Sequence, residues 1–137
     1  MYKVKVIAQG RLKEAWLASA IAEYEKRLQG RAQFQWVLTE DDEELAAQCK
    51  KESQFIALDI QGELLDSMAF SEKLMRYGAK ITFAIGGPVG LSQEILKKAH
   101  WRWSLSPLTF TNQMVRLLFV EQIYRALEIS RGSPYHK

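Results

Sequence analysis

The chain has 137 residues, 47% of them hydrophobic and 26% charged, which is typical of one globular domain with a single core. No apolar run approaches the ~20 residues of a membrane span, and the amino terminus lacks a signal-peptide pattern. The only cysteine, Cys49, cannot form an internal disulfide, and no cluster of metal ligands is present. We therefore expect a cytoplasmic protein without membrane contact or bound metal, in which Cys49 is an inert helix residue.

The net charge of +3 is distributed unevenly along the chain. Residues 91–137 hold 7 Lys and Arg against 3 Asp and Glu, and residues 1–31 have the same 7 and 3. Two basic ends can present a face that attracts phosphate. Because solvated basic surfaces are common, charge alone does not indicate a nucleic-acid partner.

Apolar periodicity predicts five strands that alternate with five helical segments. In chain order these are strand Lys3–Ala8, helix Lys13–Leu28, strand Gln33–Leu38, an acidic helix ending at Lys50-Lys51, strand Phe55–Ile60, a helix from Ser67 to Gly78, strand Ile81–Ile85, a helical turn opened by Ser92, strand Trp101–Leu105 and helix Asn112–Ser130. The alternation predicts one α/β domain over residues 1–137, with a mostly parallel sheet and helices on both faces.

Several local patterns refine this prediction. Alternating polarity in Gln33–Leu38 favours an edge strand, whereas the continuous apolar run Phe55–Ile60 favours a central one. Ser67 is the expected amino-terminal cap of its helix. The acidic run Glu40–Glu44 suggests either a metal cluster or the first turn of a helix, and the second is favoured because negative charge suits a helix start.

The last predicted helix is apolar on nearly all sides, with a narrow polar strip at Glu121, Arg125 and Glu128. A helix of this kind is buried on more than one side, and the sheet of a small domain covers only one. We therefore predict a homodimer in which a second copy covers the rest. The residues that follow, Arg131–Lys137, are expected to form an extended tail.

Two loops that lie close together in sequence, each after a predicted strand, are the candidate binding site. Gly86–Gly90 places three glycines after a buried strand, which permits positive φ and close approach of the backbone to a ligand. Ser106–Phe110 follows the next strand, and ligands of open α/β sheets bind at the carboxyl ends of strands. The two loops are expected to form two walls of one pocket, although Gly-Gly-Pro is also an ordinary tight turn.

The common nucleotide and hydrolase motifs are not present. The glycine loop is neither a dinucleotide fingerprint nor a phosphate loop. Of the two histidines, His100 lies at a predicted helix end, where a capping or surface role is expected, and neither stands in a nucleophile motif.

Several ordered motifs resemble one family, the RlmH-type (YbeA-like) methyltransferases of the SPOUT superfamily. They are Leu58-Asp59-Ile60-x-Gly62, Ile85-Gly86-Gly87-Pro88-x-Gly90, Ser104-Leu105-Ser106-x-Leu108-Thr109-Phe110, Gln113-Met114-Val115-Arg116, Glu121-Gln122-x-Tyr124-Arg125-Ala126 and Pro134-Tyr135-His136-Lys137. The resemblance runs the length of the chain, although residues 38–53 are shorter than is usual in the family.

The resemblance implies a carboxyl-terminal trefoil knot, a homodimer and S-adenosylmethionine as cofactor. It further implies methylation of N3 of a pseudouridine in large-subunit (23S) ribosomal RNA, on assembled ribosomes. Carried over by position, the cofactor-binding residues are Leu58, Gly86, Leu105, Ser106, Pro107, Leu108, Thr109 and Phe110. Apolar walls and a close backbone suit such a ligand.

One departure concerns the catalytic group. Where the family commonly has Pro-His, this chain has Thr111-Asn112, and an amide cannot act as a base near neutral pH. His136 is then the leading candidate for helping to remove the N3 proton, and Tyr135 for stacking on a base. The alternative is a flexible tail, or one that only contacts phosphate.

The motifs also contain two arginines, Arg116 and Arg125. Both are candidates for holding phosphate or bracing the dimer, and for Arg125 a structural role is favoured. Two other functions stay open. One is a non-catalytic RNA- or ribosome-binding module of the same fold, which Asn112 favours. The other is a SPOUT methyltransferase that acts on transfer RNA.

Overall fold

A computed structural model describes residues 1–137 and contains five strands alternating with five helices, as the periodicity predicts. The elements are β1 (Tyr2–Gln9), α1 (Ala15–Arg27), β2 (Ala32–Thr39), α2 (Asp42–Lys50), β3 (Ile56–Leu64), α3 (Ser67–Tyr77), β4 (Lys80–Ile85), α4 (Gln93–Lys98), β5 (Trp101–Ser104) and α5 (Asn112–Ser130). No helix is both long and apolar enough to cross a membrane.

The five strands form one sheet in the order β2-β1-β4-β3-β5, and every neighbouring pair is parallel. β2 lies at an edge and β3 between β4 and β5, as their polarity patterns predict. All five strands therefore point the same way, and their last residues share one side of the sheet, here called the carboxyl edge. The two loops of the predicted site, after β4 and β5, both leave from this edge.

Helices cover both faces of the sheet, which confirms the predicted layers. On one face α1, α3 and α5 enclose an aromatic core in which Phe83 contacts Phe119 at a ring-centroid distance of 4.7 Å. On the other face α2 and α4 pack Leu45, Cys49 and Ile95 against the sheet. Burial raises the pKa of the Cys49 thiol to about 11, so this cysteine is an inert core residue as expected.

β3 is longer than predicted, because Gly62 lies inside the strand and does not end it. The register between β3 and β5 shifts between Leu58 and Glu63, where β3 bulges. A Cβ atom on Gly62 would lie 2.7 Å from the backbone carbonyl carbon of Arg102 in β5. Glycine is needed here so that the two backbones can approach each other, and pairing resumes beyond it.

The amino-terminal caps were predicted with mixed success. The cap of α3 is Asp66, whose carboxylate accepts a backbone N–H of the first turn, so the prediction of Ser67 was wrong. Ser67 instead donates its hydroxyl to Oε1 of Gln122 at 2.8 Å. The helical interpretation of Glu40–Glu44 is confirmed, because Asp41 caps α2 and the acids after it form its first turn.

The tail after α5 is not extended, contrary to the prediction. It folds back onto the helix, and the Tyr135 hydroxyl donates a 2.6 Å hydrogen bond to Oε2 of Glu121. The polar strip of α5 is likewise engaged inside the chain, where the buried Glu128 carboxylate accepts hydrogen bonds from Arg31 and Arg131. The strip and the tail therefore form one polar layer beside the core.

The helix α5 itself lies between α1 and α3. These two helices cover part of the apolar surface of α5 that the sequence analysis assigns to contact with a second copy. Met114, Leu117 and Leu118 nevertheless stay only half-buried. They remain the part of α5 that the predicted homodimer would cover.

Candidate functional site

A cleft of about 430 Å³ opens at the carboxyl edge, between the ends of β3, β4 and β5 and the first turn of α5. We call it the glycine-loop cleft. Both predicted loops lie on it, so the structure brings the two walls together. Of the eight predicted cofactor residues, seven line it: Leu58, Gly86, Leu105, Ser106, Leu108, Thr109 and Phe110. The eighth, Pro107, belongs to the same loop without lining the cleft.

The glycine loop has no room for a side chain at Gly86 or Gly87, because of its own backbone at the first position and the Gln9 side chain at the second. A Cβ on Gly86 would lie 2.7 Å from the carbonyl oxygen of Gly90, and one on Gly87 would lie 2.8 Å from Cδ of Gln9. Only Gly90 has positive φ, at 76°, so the expectation of positive φ holds for one of the three glycines. Gly86 is thus required by the closure of the loop, and at this position the loop presents main chain to the cleft.

The second wall is held in shape by its own serines. The Ser106 hydroxyl accepts the backbone N–H of Leu108 at 3.0 Å, and the Ser104 hydroxyl donates to the carbonyl of Ser106 at 3.1 Å. Leu108 and Phe110 stay exposed at the mouth. The loop therefore offers apolar surface on a preformed backbone, as ligand pockets commonly do.

Two polar groups of the cleft were not predicted as site residues. Oδ2 of Asp59 and Nε1 of Trp103 are buried without a hydrogen-bond partner in the chain, although Oδ2 of Asp59 lies 3.9 Å from Nη1 of Arg102 in an ion pair. Buried polar atoms are almost always hydrogen-bonded, so an acceptor and a donor without hydrogen bonds in one cleft fit a ligand that offers both groups. Asp59 stands directly after Leu58 in a motif of the sequence, whereas nothing in the sequence distinguishes Trp103 from a core tryptophan.

A second cleft of about 460 Å³ lies beside the first and contains His136, and we call it the tail cleft. The two clefts share Trp103, Leu105, Ser106 and Phe110 as a common wall. The predicted catalytic histidine and the predicted cofactor residues are therefore separated by the thickness of one loop. Such an arrangement can hold two reactants side by side.

The tail is positioned by an ion pair on α5. Arg125 and Glu121, one helical turn apart, meet at 2.7 Å, and this hydrogen bond raises the pKa of Arg125. The Arg125 guanidinium also lies over the Tyr135 ring, 4.7 Å from its centroid. Burial and the hydrogen bond to Glu121 raise the pKa of the Tyr135 phenol. Tyr135 is thus an anchor of the tail, and its ring is occupied by contacts within the chain.

The contact between Arg125 and His136 determines which imidazole nitrogen carries the proton. Nη1 of Arg125 lies 3.0 Å from Nδ1 of His136. A guanidinium can only donate, so Nδ1 accepts, and the neutral imidazole has its proton on Nε2. In this conformation His136 offers the tail cleft an N–H donor, and the proton-acceptor role expected from the sequence needs the Arg125 contact to break.

The start of α5 contains two further residues of interest. Thr111, and not Asn112, caps the helix by accepting the N–H of Met114, which leaves the Asn112 side chain on the glycine-loop cleft. Arg116 is 1% exposed, and its Nη2 donates to the carbonyl oxygen of Gln9 at 2.6 Å. Burial lowers the pKa of Arg116. The prediction that Arg116 holds phosphate or braces a dimer was wrong, because it lies inside the chain.

His100 and the acidic run Glu40–Glu44 line neither cleft. The His100 ring contacts the edge of Tyr77 at a centroid distance of 5.7 Å, in the surface role that was expected. No group of three or more His, Cys, Asp or Glu side chains is placed so that it could hold a metal ion.

Comparisons with known proteins agree along the whole chain. Residues 2–136 match the family described as "Predicted SPOUT methyltransferase". The ribosomal RNA large subunit methyltransferase H of Protochlamydia amoebophila (strain UWE25) is 43% identical over 141 residues, covering 100% of both chains. The enzyme of the same name from Pelotomaculum thermopropionicum is 38% identical over 159 residues, covering 99% of each.

Solved structures share the fold at much lower identity. A probable methylase family protein from Haemophilus influenzae Rd KW20 superimposes with a TM-score of 0.60 at 16% identity, covering 99% of this chain and 70% of the other. TrmJ from Z. mobilis ZM4 gives 0.53 at 9% identity, with 99% and 72% covered. At these identities the likeness concerns the architecture alone.

Proposed function

The chain belongs to the SPOUT methyltransferase family, whose α/β fold ends in a trefoil knot, and on this basis we propose its reaction. The proposed activity is transfer of a methyl group from S-adenosylmethionine to N3 of a pseudouridine in large-subunit ribosomal RNA. The observation that carries the proposal is the loop Leu105–Phe110, which is the common wall of the glycine-loop cleft and the tail cleft. The names of the close relatives favour ribosomal over transfer RNA as the substrate.

The glycine-loop cleft fits the proposed cofactor. The main chain at Gly86 and the loop Leu105–Phe110 would hold it, with Leu58 as apolar floor. Oδ2 of Asp59 accepts no hydrogen bond in the chain and suits hydroxyl or amino groups, and the indole N–H of Trp103, which donates none, suits a ring nitrogen or carboxylate. When bound, S-adenosylmethionine supplies a methyl group already activated by the adjacent positive sulfur.

The tail cleft is proposed to hold the target base. Besides His136 it is lined by the polar side chains of Asp66, Ser67 and Gln122. Methyl transfer would form a bond between the methyl carbon and N3 as the methyl–sulfur bond breaks, and the N3 proton would pass to water. The negative charge that loss of this proton leaves on the base would spread onto the two flanking carbonyl oxygens. The Nε2–H of His136 is proposed to donate to one of these oxygens, a contribution on the order of 10²-fold in rate.

The positioning of this donor depends on the tail anchor. Tyr135 and Arg125 both contact Glu121, and Arg125 contacts His136. These contacts hold the imidazole before a substrate arrives, so its orientation need not be reached during the reaction. The proposed role of Tyr135 is accordingly to position the tail.

The proposal extends to the assembly and the setting. A homodimer would cover the half-buried Met114, Leu117 and Leu118 of α5. The substrate is proposed to be the assembled ribosome, as the family resemblance implies, and the site of action is then the cytoplasm.

A second candidate is a ribosome-binding module of the same fold that does not turn over. Asn112 supports it, because this amide lines the glycine-loop cleft where the family commonly has a histidine. The two candidates differ in cofactor binding and in product.

The deciding experiment is mass mapping of large-subunit ribosomal RNA from cells with and without this protein. Methyltransfer predicts a gain of one methyl group on a pseudouridine that disappears with the gene and returns with the wild-type chain. Identical maps, together with ribosome binding and no heat of S-adenosylmethionine binding, would favour the non-catalytic module.

A further inference from the structure

We propose that the segment Gln9–Lys13, between β1 and α1, is the phosphate-contacting surface for the RNA substrate, with Arg11 and Lys13 as the contacting cations. This inference rests on the proposed function, since it assumes an RNA substrate at the carboxyl edge. It assigns RNA-binding residues whose charged side chains line neither of the two clefts.

The charged groups of Arg11 and Lys13 form no ion pair within the chain. Of the 19 Lys and Arg residues, nine form ion pairs with carboxylates. Arg11 and Lys13 are not among them, and both side chains are exposed. The adjacent Glu14 is also exposed and unpaired, so residues 9–14 together carry a net positive charge of one. An exposed pair of cations without acidic partners attracts phosphate without first breaking an ion pair.

Unlike most exposed loops, this segment is held rigidly by α5. The Gln113 side chain donates to the carbonyl of Arg11 at 3.1 Å and accepts the N–H of Lys13 at 3.0 Å. Arg116 donates to the carbonyl of Gln9 at 2.6 Å. The Gly10 N–H is bound to the carbonyl of Thr39 at 2.7 Å. A loop fixed at successive residues loses little further conformational freedom when it binds.

The segment also lies beside the glycine-loop cleft. Gln113 follows Asn112, which lines that cleft, and the Gln9 side chain packs against the backbone of Gly87 in the glycine loop. An RNA strand whose target base enters the clefts has its neighbouring phosphates along the same edge. The fixed cations are therefore placed where phosphate contacts position a strand without reading its sequence.

The test compares two charge-matched double variants of the full-length protein. Arg11→Gln with Lys13→Gln removes the proposed contacts. Lys51→Gln with Lys80→Gln removes two exposed, unpaired cations at the opposite, amino edge of the sheet. The probe is ribosomes purified from cells lacking this protein, with ribosome binding and methylation both measured at several salt concentrations, and S-adenosylmethionine binding measured by calorimetry.

The Arg11/Lys13 variant should bind ribosomes about tenfold more weakly near 0.1 M salt, and the slope of log K against log [salt] should fall by about two. Its kcat and cofactor affinity should be unchanged. The Lys51/Lys80 variant should match the wild type. Glu14→Gln should strengthen binding severalfold, because it removes the opposing charge next to the two cations.

A third variant tests the positioning by Gln113. Gln113→Ala removes both hydrogen bonds to the segment and alters no charge. It should raise the KM for ribosomes severalfold while the salt slope stays at the wild-type value, whereas a merely unstable protein would lose cofactor binding as well.

The outcomes separate this inference from the proposed function. If the wild type methylates ribosomes and both double variants do so with unchanged KM and salt slope, the phosphate surface is elsewhere and the inference fails alone. If the wild type neither binds nor methylates ribosomes, the proposed function and this surface are overturned together.

Discussion

Arg125 donates a hydrogen bond from Nη1 to Nδ1 of His136 across 3.0 Å, and this contact gives the imidazole an N–H at Nε2. The consequence for mechanism is direct, because a donor and a base respond differently to substitution. If the histidine acts as a base, its function is lost on substitution by any residue that cannot accept a proton. If the histidine acts as a hydrogen-bond donor, its function is retained in part by any side chain that places an N–H group at a similar position.

We expect His136→Gln to retain more activity than His136→Ala, since the glutamine amide can donate and alanine cannot. Loss of the donor should lower kcat on the order of 10²-fold. Raising the pH should partly rescue His136→Ala, because the N3 proton is then lost more readily without help. Single-turnover methylation of ribosomes across pH measures this, and equal activity of the two variants would refute the donor role.

The anchor of the tail leads to a second prediction. Tyr135→Phe removes the 2.6 Å hydrogen bond to Glu121 but keeps the ring packed against Tyr124. Because hydrogen bonds to charged groups contribute about 1.5–3 kcal/mol, kcat should fall about tenfold or more as His136 loses its fixed position. Cofactor affinity should stay at the wild-type value.

A further prediction concerns deletion of residues 134–137, which removes the end of the tail. It removes the anchor and the donor together, so methylation should fall by two orders of magnitude or more while calorimetry still detects the cofactor. Full activity of the truncated protein would eliminate the tail from the site.

Gly86→Val should weaken S-adenosylmethionine binding at least tenfold, or about 1.4 kcal/mol. The physical reason is that the new Cβ would meet the backbone at Gly90 and open the loop. Gly30→Ala is the control, because its φ of 87° strains any side chain while its position after α1 lies outside both clefts. Both variants should lose stability, and only Gly86→Val should lose cofactor affinity.

The buried carboxylate of Glu128 predicts an acid-sensitive stability. Burial opposes its ionisation, but hydrogen bonds from Arg131 and Arg31 prevail and lower its pKa below the ordinary glutamate value near 4.5. A lowered pKa stabilises the fold above the unfolded-state value, and this contribution is lost as the pH falls through the folded-state value.

Glu128→Gln should therefore cost about 2 kcal/mol at pH 7 and progressively less as the pH falls below the ordinary glutamate value. The figure is smaller than for fully buried pairs because both arginines are partly exposed. Denaturant unfolding at several pH values measures the difference. A constant difference between wild type and variant across pH would contradict this account.

The homodimer is tested by sedimentation at micromolar concentration. The half-buried Met114, Leu117 and Leu118 of α5 predict a species twice the 15.8 kDa of one chain. Leu118→Glu should shift the population toward monomer, since a charge on an apolar interface is not paired there. A wild-type protein that sediments only as 15.8 kDa would overturn the assembly.

Interactions between residues that are close in sequence explain which features of this protein can be predicted from its sequence. The alternation of elements, the edge position of β2 and the helical start at Asp41–Glu44 follow from periodicity and from side chains acting on their nearest backbone. The glycine loop is predictable for the same reason at Gly86, where the loop's own backbone leaves no room for a side chain, whereas the space at Gly87 is limited by the side chain of Gln9 in β1. The knot entered only through resemblance to a family, because threaded chains are too rare for pattern reasoning to favour.

Only the tertiary structure decided how distant segments meet. It placed Asp59 and Trp103 in one cleft, each with one buried polar atom that makes no hydrogen bond, buried Arg116 beneath Gln9, and folded the tail onto Glu121. It also extended β3 past Gly62, because the room for that glycine is limited by β5 and not by its own neighbours in sequence. Periodicity reports which face of an element is apolar, whereas hydrogen bonds between residues about 100 positions apart depend on how the packed helices bring those positions together.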